Sequence, residues 1–159
     1  YESAQCLVGS EMCIRDRHYT LDAGHDMDVA VGAHNAHGVT ADVTVHGPNG
    51  FFRRFAGKAL PGVALRYDPD HDAVVLSLHN PGHAPRKIRV DDAYARTTHE
   101  VIVPAGGDIE TTWPVTASDR WYDLTLHAPH HGHDAIILAG HMENGRPSRT
   151  DPHMGQQQA

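Results

Sequence analysis

Residues 42–57 read DVTVHGPNGFFRRFAG, and this stretch decides the fold because the chain contains its pattern twice. Residues 123–140, DLTLHAPHHGHDAIILAG, repeat the order of residue types: an alternating apolar and polar run, a histidine, a proline-containing turn and a final Ala-Gly. Alternation with a period of two is typical of a half-buried β-strand. The first strands lie 81 positions apart and the second strands 83, because the second turn is longer. Two copies of one domain explain this agreement better than chance.

The second copy is predicted to be a complete antiparallel, immunoglobulin-like β-sandwich, so the chain is all-β. Short alternating runs separated by Gly, Pro, Asn and Asp turns are typical of that class. The strand candidates are residues 73–79, 86–91, 99–103, 108–113, 121–127 and 135–141, with a short one at 64–67. Two rows of side chains are expected to meet in the core, with Ile109 or Trp113 between them: Val74, Leu76 and Leu78, and Tyr122, Leu124 and Leu126.

The first copy is truncated. It retains counterparts of the last four strands only, at residues 18–21, 26–31, 41–46 and 51–55. The predicted organisation is a partial repeat at 18–60, a complete repeat at 62–145 and a tail at 146–159. Residues 1–17 lack strand alternation, and CLVGSEMCIRDR within them resembles translated adaptor sequence, so a non-native segment is expected there. The alternative is a divergent native arm.

Composition excludes several classes of partner. The hydrophobic share is 40% and the formal net charge is −7. A nucleic-acid partner is not expected, because phosphate binding favours an excess of Lys and Arg. No apolar run is long enough to span a membrane, and the chain does not begin like a signal peptide. Both cysteines, Cys6 and Cys13, fall in the adaptor-like segment, so they indicate no disulfide framework.

Several motifs resemble, in family order, the C-terminal repeats of bacterial phosphocholine-type phospholipases C. The motifs are HGPNGFFRRFAG at 46–57, LRYDP at 65–69, PAGG at 104–107, WYDLT at 121–125, and GHMENGRPS with TDPHMG at the end of the chain. The resemblance extends from about residue 18 to residue 155. It implies a parent enzyme whose large N-terminal catalytic domain releases phosphocholine and diacylglycerol, followed by two small β-domains.

The resemblance also bounds the function. It implies an exported parent, periplasmic or secreted, whose catalytic residues lie upstream, so no catalytic residue and no cofactor is assigned to this chain. The expected role is an accessory one: stabilising the phosphoric diester hydrolase or presenting it to lipid. The expected partners are the catalytic domain and a phospholipid surface. The alternative is a stand-alone lipid- or carbohydrate-binding sandwich. A self-contained enzyme is least favoured, because no serine stands in a nucleophile-elbow context.

Four histidines in the second turn suggest a metal site, namely His127, His130, His131 and His133. Closely spaced imidazoles bind zinc or nickel when their geometry is held rigid. The first copy has only His46 in the same turn, so the domain itself does not require a metal there. A solvated loop is the preferred interpretation.

The second strand of the first copy differs from its counterpart. It carries Arg53 and Arg54, whereas residues 136–138 of the second copy read Ile-Ile-Leu. In a strand, Phe51, Arg53 and Phe55 share one face, and Phe52 and Arg54 share the other. One interpretation is core phenylalanines with arginines reaching solvent. The other is an interface in which Arg53, Arg54 and Phe52 contact a partner domain or lipid headgroups.

Overall fold

The structure is a computed structural model, and it describes residues 18–20, 42–57, 61–127 and 134–153. The chain divides into two compact units, residues 1–32 and 33–159, and all of the described strands belong to the second unit. Its described elements are β1 (Asp42–His46), β2 (Phe52–Ala56), β3 (Gly62–Asp68), β4 (Ala73–His79), β5 (Arg86–Asp92), β6 (Thr97–Val103), β7 (Asp108–Pro114), a 3-10 turn (Thr116–Ser118), β8 (Trp121–His127) and β9 (Ala135–His141).

The strands form two antiparallel sheets, which confirms the predicted all-β sandwich. The larger sheet has the order β1-β2-β9-β8-β5-β6, and the smaller has the order β3-β4-β7. The chain changes sheet between β2 and β3, between β4 and β5, between β6 and β7, and between β7 and β8. This alternation between two layers is the organisation of an immunoglobulin-like domain. Within the described residues, no helix has the length and hydropathy required to cross a bilayer.

The β1–β2 hairpin reproduces the β8–β9 hairpin at the level of register. Asp42 pairs with Ala56 in the first hairpin, and their counterparts Asp123 and Ala139 pair in the second. The first hairpin closes on Asn49-Gly50, where both residues have positive φ and the amide of Phe51 donates to the carbonyl of Pro48 at 3.1 Å. This is the turn that Asn-Gly favours, because its twist matches that of the flanking strands. The repeat read from the sequence is therefore a repeat of structure.

The buried core consists of the side chains that the strand pattern of the sequence predicted. Val74, Leu76 and Leu78 on β4 are fully buried, and so are Leu124 and Leu126 on β8. Burying a leucine side chain contributes about 1.5–3 kcal/mol, so this double row accounts for much of the sandwich's stability. Of the two side chains expected between the rows, Trp113 is buried in the cluster and Ile109 packs partly buried against it.

The main differences from the predicted strands concern length. The short candidate at 64–67 is a seven-residue strand, Gly62–Asp68, and β6 starts at Thr97. Both extensions pair along their full length, β3 with β4 and β6 with β5, so neighbouring strands extend the pattern beyond its apolar residues. Residues 18–20, the described part of the candidate at 18–21, form no strand, and the candidate at 26–31 lies outside the described residues.

One buried polar side chain holds two loops together. Asn80 follows β4 and has no exposed surface. Its Nδ2 donates to the carbonyls of Ala84, Val103 and Pro104 at 2.9, 3.3 and 3.1 Å, and its Oδ1 accepts from the amide of Gly82 at 3.0 Å. A buried side-chain amide whose polar atoms are all hydrogen-bonded stabilises the fold by more than the sum of its single bonds. Without it, each of these carbonyls would lack a partner.

Candidate functional site

A network of side-chain hydrogen bonds lies where the first repeat meets the second. Strand β2 pairs antiparallel with β9, and Arg54 faces Ile137 at the centre of the pairing. Both are the last strands of their repeats, and each would otherwise be a sheet edge. An edge strand presents unpaired amides and carbonyls, so the pairing gives the backbone groups of both strands hydrogen-bond partners.

Arg53 is the side chain that crosses between the repeats. Its Nη1 donates to the carbonyl of Ala139 at 2.6 Å and to that of Phe52 at 2.8 Å, and its Nη2 donates to the Tyr122 hydroxyl at 2.7 Å. The guanidinium also lies over the Phe51 ring, 4.3 Å from its centroid. Bonds from a charged donor are stronger than neutral ones. Arg53 therefore ties the hairpin to the second repeat instead of extending into solvent.

Tyr122 receives Arg53 from within the core of the second repeat. Its hydroxyl lies 2.7 Å from Arg53 and 3.0 Å from the hydroxyl of Tyr67 on β3, so it links both sheets. Burial, followed by the bond with Tyr67, raises the pKa of Tyr122, so the phenol is neutral. Gly140 faces Tyr122 across the strand pair, and a Cβ there would lie 2.7 Å from the hydroxyl. The Ala-Gly ending of the repeat thus makes room for this contact.

The tip of the first hairpin forms a second link. Asn49 Nδ2 donates to Glu143 Oε1 at 3.0 Å, and a Cβ on Gly50 would lie 2.7 Å from the Trp121 ring. Glu143 also bonds to His141 Nδ1 at 3.0 Å, while His141 Nε2 lies 3.1 Å from the carbonyl of Asp119. No sequence pattern pointed to a contact between these residues. The Asn-Gly turn was visible, but the surface that it contacts was not.

Arg54 and Phe52 lie on the opposite face from Arg53 and contact their own hairpin. Arg54 forms a two-point pair with Asp42, at 2.8 Å from Nε to Oδ1 and 2.6 Å from Nη2 to Oδ2. Its hydrogen bonds lower the pKa of the Asp42 carboxyl. The Phe52 ring meets His46 edge-on at 5.0 Å. Arg54 and Phe52 therefore lie on one face of the hairpin and Arg53 on the other, and an interface formed by all three residues stays a prediction.

The histidine cluster is described only in part. His127 Nε2 lies 3.3 Å from Asp91 Oδ2 on the neighbouring strand, and His130, His131 and His133 lie outside the described residues. Among residues 42–57, 61–127 and 134–153, no three His, Cys, Asp or Glu side chains are arranged to hold a metal. The proposal of a solvated loop there remains a prediction.

A cavity of about 290 Å³ opens at the end of the sandwich near the C-terminal tail. Its lining includes Tyr94, Trp113 and Trp121, and His153 of the tail stacks on Tyr94 at 4.3 Å between centroids. The Tyr94 hydroxyl donates to Asp151 at 2.7 Å. Burial, and next the bond to Asp151, raises the pKa of Tyr94, so this phenol is a donor and not a base. The tail closes over the cavity through these contacts.

Asp123, next to this tail, is a partly buried acid, and the nearby positive charge of His153 does not offset its burial. Burial, and then the charges of Asp92 and Asp151, raise the pKa of Asp123 above its ordinary 3.8, although His153 opposes this. The folded state therefore binds the proton more tightly than the unfolded state does. Stability from this group is present at low pH and is lost as the pH rises through the folded pKa.

We therefore expect Asp123→Asn to raise the Tm at pH 7 and to have little effect at pH 3, where the aspartate is protonated in both states. Thermal unfolding followed by circular dichroism at both pH values measures this. Asp70→Asn, in the exposed turn between β3 and β4, is the control and should leave the Tm unchanged. A lower Tm for Asp123→Asn at pH 7 would contradict the sign.

The chain is similar in sequence to a known protein family. The model of the family described as bacterial phospholipase C, C-terminal domain, matches residues 2–58 and 61–133. The two matched segments correspond to the two repeats, and the first includes residues 2–17. The match covers well over half of the chain.

Curated relatives agree with the family match. A non-hemolytic phospholipase C of Burkholderia pseudomallei is 35% identical over 120 residues, covering 70% of this chain and 17% of that protein. A hemolytic phospholipase C of Pseudomonas aeruginosa is 35% identical over 119 residues, covering 68% and 16%. A non-hemolytic phospholipase C of the same organism is 34% identical over 125 residues, covering 70% and 18%. The chain thus spans less than a fifth of the length of each.

Proposed function

Because this chain belongs to the family of the bacterial phospholipase C C-terminal domain, we propose that it is the non-catalytic accessory region of an exported phospholipase C. One observation carries the proposal: this chain aligns with less than a fifth of each relative's length, so most of each relative lies outside the aligned region. The parent's catalytic domain hydrolyses phosphatidylcholine-type lipids to diacylglycerol and phosphocholine, and the two β-repeats follow it. The proposed repeats occupy residues 18–60 and 62–145, with a tail at 146–159. The non-native segment at 1–17 stays a prediction, and the family match from residue 2 favours its alternative, a divergent native arm.

The proposed role is to stabilise the enzyme. The contacts of Arg53 and Asn49 hold the described part of the first repeat against the second, so the two repeats act as one body beside the catalytic domain. A docked neighbour stabilises a folded domain because it binds the folded state and not the unfolded state. The formal net charge of −7 argues against electrostatic attraction to anionic lipid. Presentation to a phospholipid surface remains the alternative that the experiment separates.

The test uses a full-length relative, the non-hemolytic phospholipase C of Pseudomonas aeruginosa, with and without the region that aligns with this chain. Turnover of soluble p-nitrophenyl phosphorylcholine and of phosphatidylcholine vesicles is measured together with the Tm. We expect the truncated enzyme to melt at a lower temperature and to lose both activities in parallel above that temperature. The isolated chain should hydrolyse neither substrate.

The outcomes discriminate between the roles. Loss of vesicle turnover alone, with the Tm and soluble-substrate turnover intact, would favour presentation to lipid over stabilisation. Binding of the isolated chain to phosphatidylcholine vesicles would favour a stand-alone lipid-binding module. Hydrolysis by the isolated chain would refute a non-catalytic role.

A further inference from the structure

We propose that in the whole phospholipase the two repeats share one continuous sheet, joined edge to edge by β2 and β9 about an approximate two-fold axis between Arg54 and Ile137. This inference rests on the family and on the strand pairing. It does not depend on whether the region stabilises the enzyme or presents it to lipid.

The register of the pairing is self-complementary. Residues of β2 and β9 correspond at a spacing of 83 positions, so Arg53 corresponds to Ile136, Arg54 to Ile137 and Phe55 to Leu138. In the sheet, Arg53 pairs with Leu138, Arg54 with Ile137 and Phe55 with Ile136. Arg53 therefore faces the counterpart of Phe55, and Phe55 faces the counterpart of Arg53. Arg54, at the centre, faces its own counterpart. Two like surfaces related by a two-fold axis meet in this manner.

The order of the strands leaves room for a complete first repeat. In the second repeat the order β9-β8-β5-β6 places β9 at the edge, so its counterpart β2 occupies the edge of the first repeat. The pairing of β2 with β9 uses these two edges and no others. The outer side of β1 then corresponds to the side of β8 that receives β5. The counterparts of β5 and β6 can add there, giving a sheet with four strands from each repeat.

The exposure of the first hairpin indicates what covers it. Val45 is 45% exposed and Phe55 is 39% exposed, although they lie on the sheet face that forms the core. Their counterparts, Leu126 and Leu138, are 0% and 2% exposed beneath the smaller sheet. We therefore assign the surface around Val45 and Phe55 to the first repeat's own counterpart of that smaller sheet. Large exposed apolar side chains on a core face are otherwise unfavourable.

Arg53 makes the pairing specific for unlike repeats. Its hydroxyl partner, Tyr122, exists only in the second repeat, since the corresponding position of the first is Ala41. A pairing of two first repeats would bring two arginines together without the tyrosine hydroxyl as acceptor. A pairing of two second repeats would have no arginine. A charged donor left without its partner disfavours the wrong pairing. The symmetric backbone register is thus combined with an asymmetric bond from Arg53 to Tyr122.

Disulfide cross-linking tests the pairing. The variant Arg54→Cys/Ile137→Cys, in a Cys6→Ser/Cys13→Ser background, places two thiols directly opposite each other. The control, Thr44→Cys/Ile137→Cys, uses the position beside Arg54 on β1, which lies two strands and about 10 Å from Ile137. After mild oxidation, the first pair should be cross-linked at least about tenfold more than the control, because strands stand ~4.8 Å apart.

The same pairs, placed at the aligned positions of the full-length Pseudomonas aeruginosa relative, test the proposal where a complete first repeat can form. Cross-linking of the central pair with turnover retained supports the continuous sheet. No cross-link in a folded, active enzyme overturns it, and that result leaves the accessory role standing. If the cysteine variants do not fold, amide exchange of the unmodified enzyme decides. Slow exchange along the aligned β9 supports the proposal, and exchange at the rate of an open edge overturns it.

A substitution tests the proposed cover of the hairpin. Val45→Lys should lower the Tm of this chain by no more than about 2 °C, whereas the aligned change in the full-length relative should lower it by about 5 °C or more. Thr44→Lys, on the opposite face, is the control in both proteins and should have little effect. Equal small shifts in both proteins would show that no sheet covers this face.

Discussion

Asn80→Asp is expected to destabilise the second repeat by about 3–5 kcal/mol at pH 7, because it replaces a buried donor with a charged acceptor. The Nδ2 of Asn80 donates to three carbonyls, and a carboxylate oxygen at the same place would face three acceptors without a proton. The change keeps the shape of the side chain, so the loss measures hydrogen bonding and charge and not packing. Chemical unfolding followed by tryptophan fluorescence measures it.

The sign of the pH dependence adds a second check on Asn80→Asp. A buried carboxyl that must take up a proton to remain in place favours the protonated form, so the destabilisation should shrink as the pH falls toward 4. Asn144→Asp is the matched control, because the Oδ1 of Asn144 accepts from the amide of Arg146 and aspartate keeps that acceptor. A loss below about 1 kcal/mol for Asn80→Asp would mean that the two loops are not held by this side chain.

Arg53→Met is expected to loosen the first hairpin from the second repeat by about 2–3 kcal/mol while leaving the second repeat folded. The substitution keeps most of the apolar stem and removes the bonds to Ala139 and Tyr122. The buried Tyr122 hydroxyl retains Tyr67 as a partner, which keeps the damage local. Amide exchange in β1 and β2 should therefore accelerate by a factor of about 30 or more, with far smaller changes in β4 and β5.

Arg54→Met on the same strand is the control for Arg53→Met. Arg54 pairs with Asp42 on the exposed face, where both side chains are over 40% exposed, and such pairs contribute about 0.2–1 kcal/mol. Its exchange rates should change by no more than about fivefold. Equal effects of the two substitutions would indicate that charge, and not the bonds to the second repeat, holds the hairpin.

Much of the fold was predictable from residue patterns. The strands Ala73–His79 and Trp121–His127 were both predicted with their observed ends. Trp121–His127 alternates because a half-buried strand places every second side chain in the core, whereas the first four residues of Ala73–His79 are all buried. The Asn-Gly turn and its flanking strands predicted the first hairpin. The echo between the hairpins predicted that they share a register, and they do.

The candidate site was predictable only in outline. The difference between Arg53-Arg54 and Ile136-Ile137 directed attention to the correct strand, but gave the two arginines equal weight. Their separation follows from which face of β2 meets Tyr122 and from the position of Asp42 within the hairpin. Tyr122 was expected in the core, and nothing in its local sequence indicates that its hydroxyl receives Arg53.

The sequence by itself determined the strands, the two hairpins, the face of each strand that enters the core, and the repetition of one domain. Side-chain chemistry determines these features locally, because apolar alternation and turn residues act over a few positions. Only the tertiary structure decided that β2 pairs with β9, that Arg53 bonds to Tyr122, and that Asn49 reaches Glu143. The backbone groups along a strand edge are the same in every sequence, so the choice of neighbour depends on which edges the assembled sheets leave open.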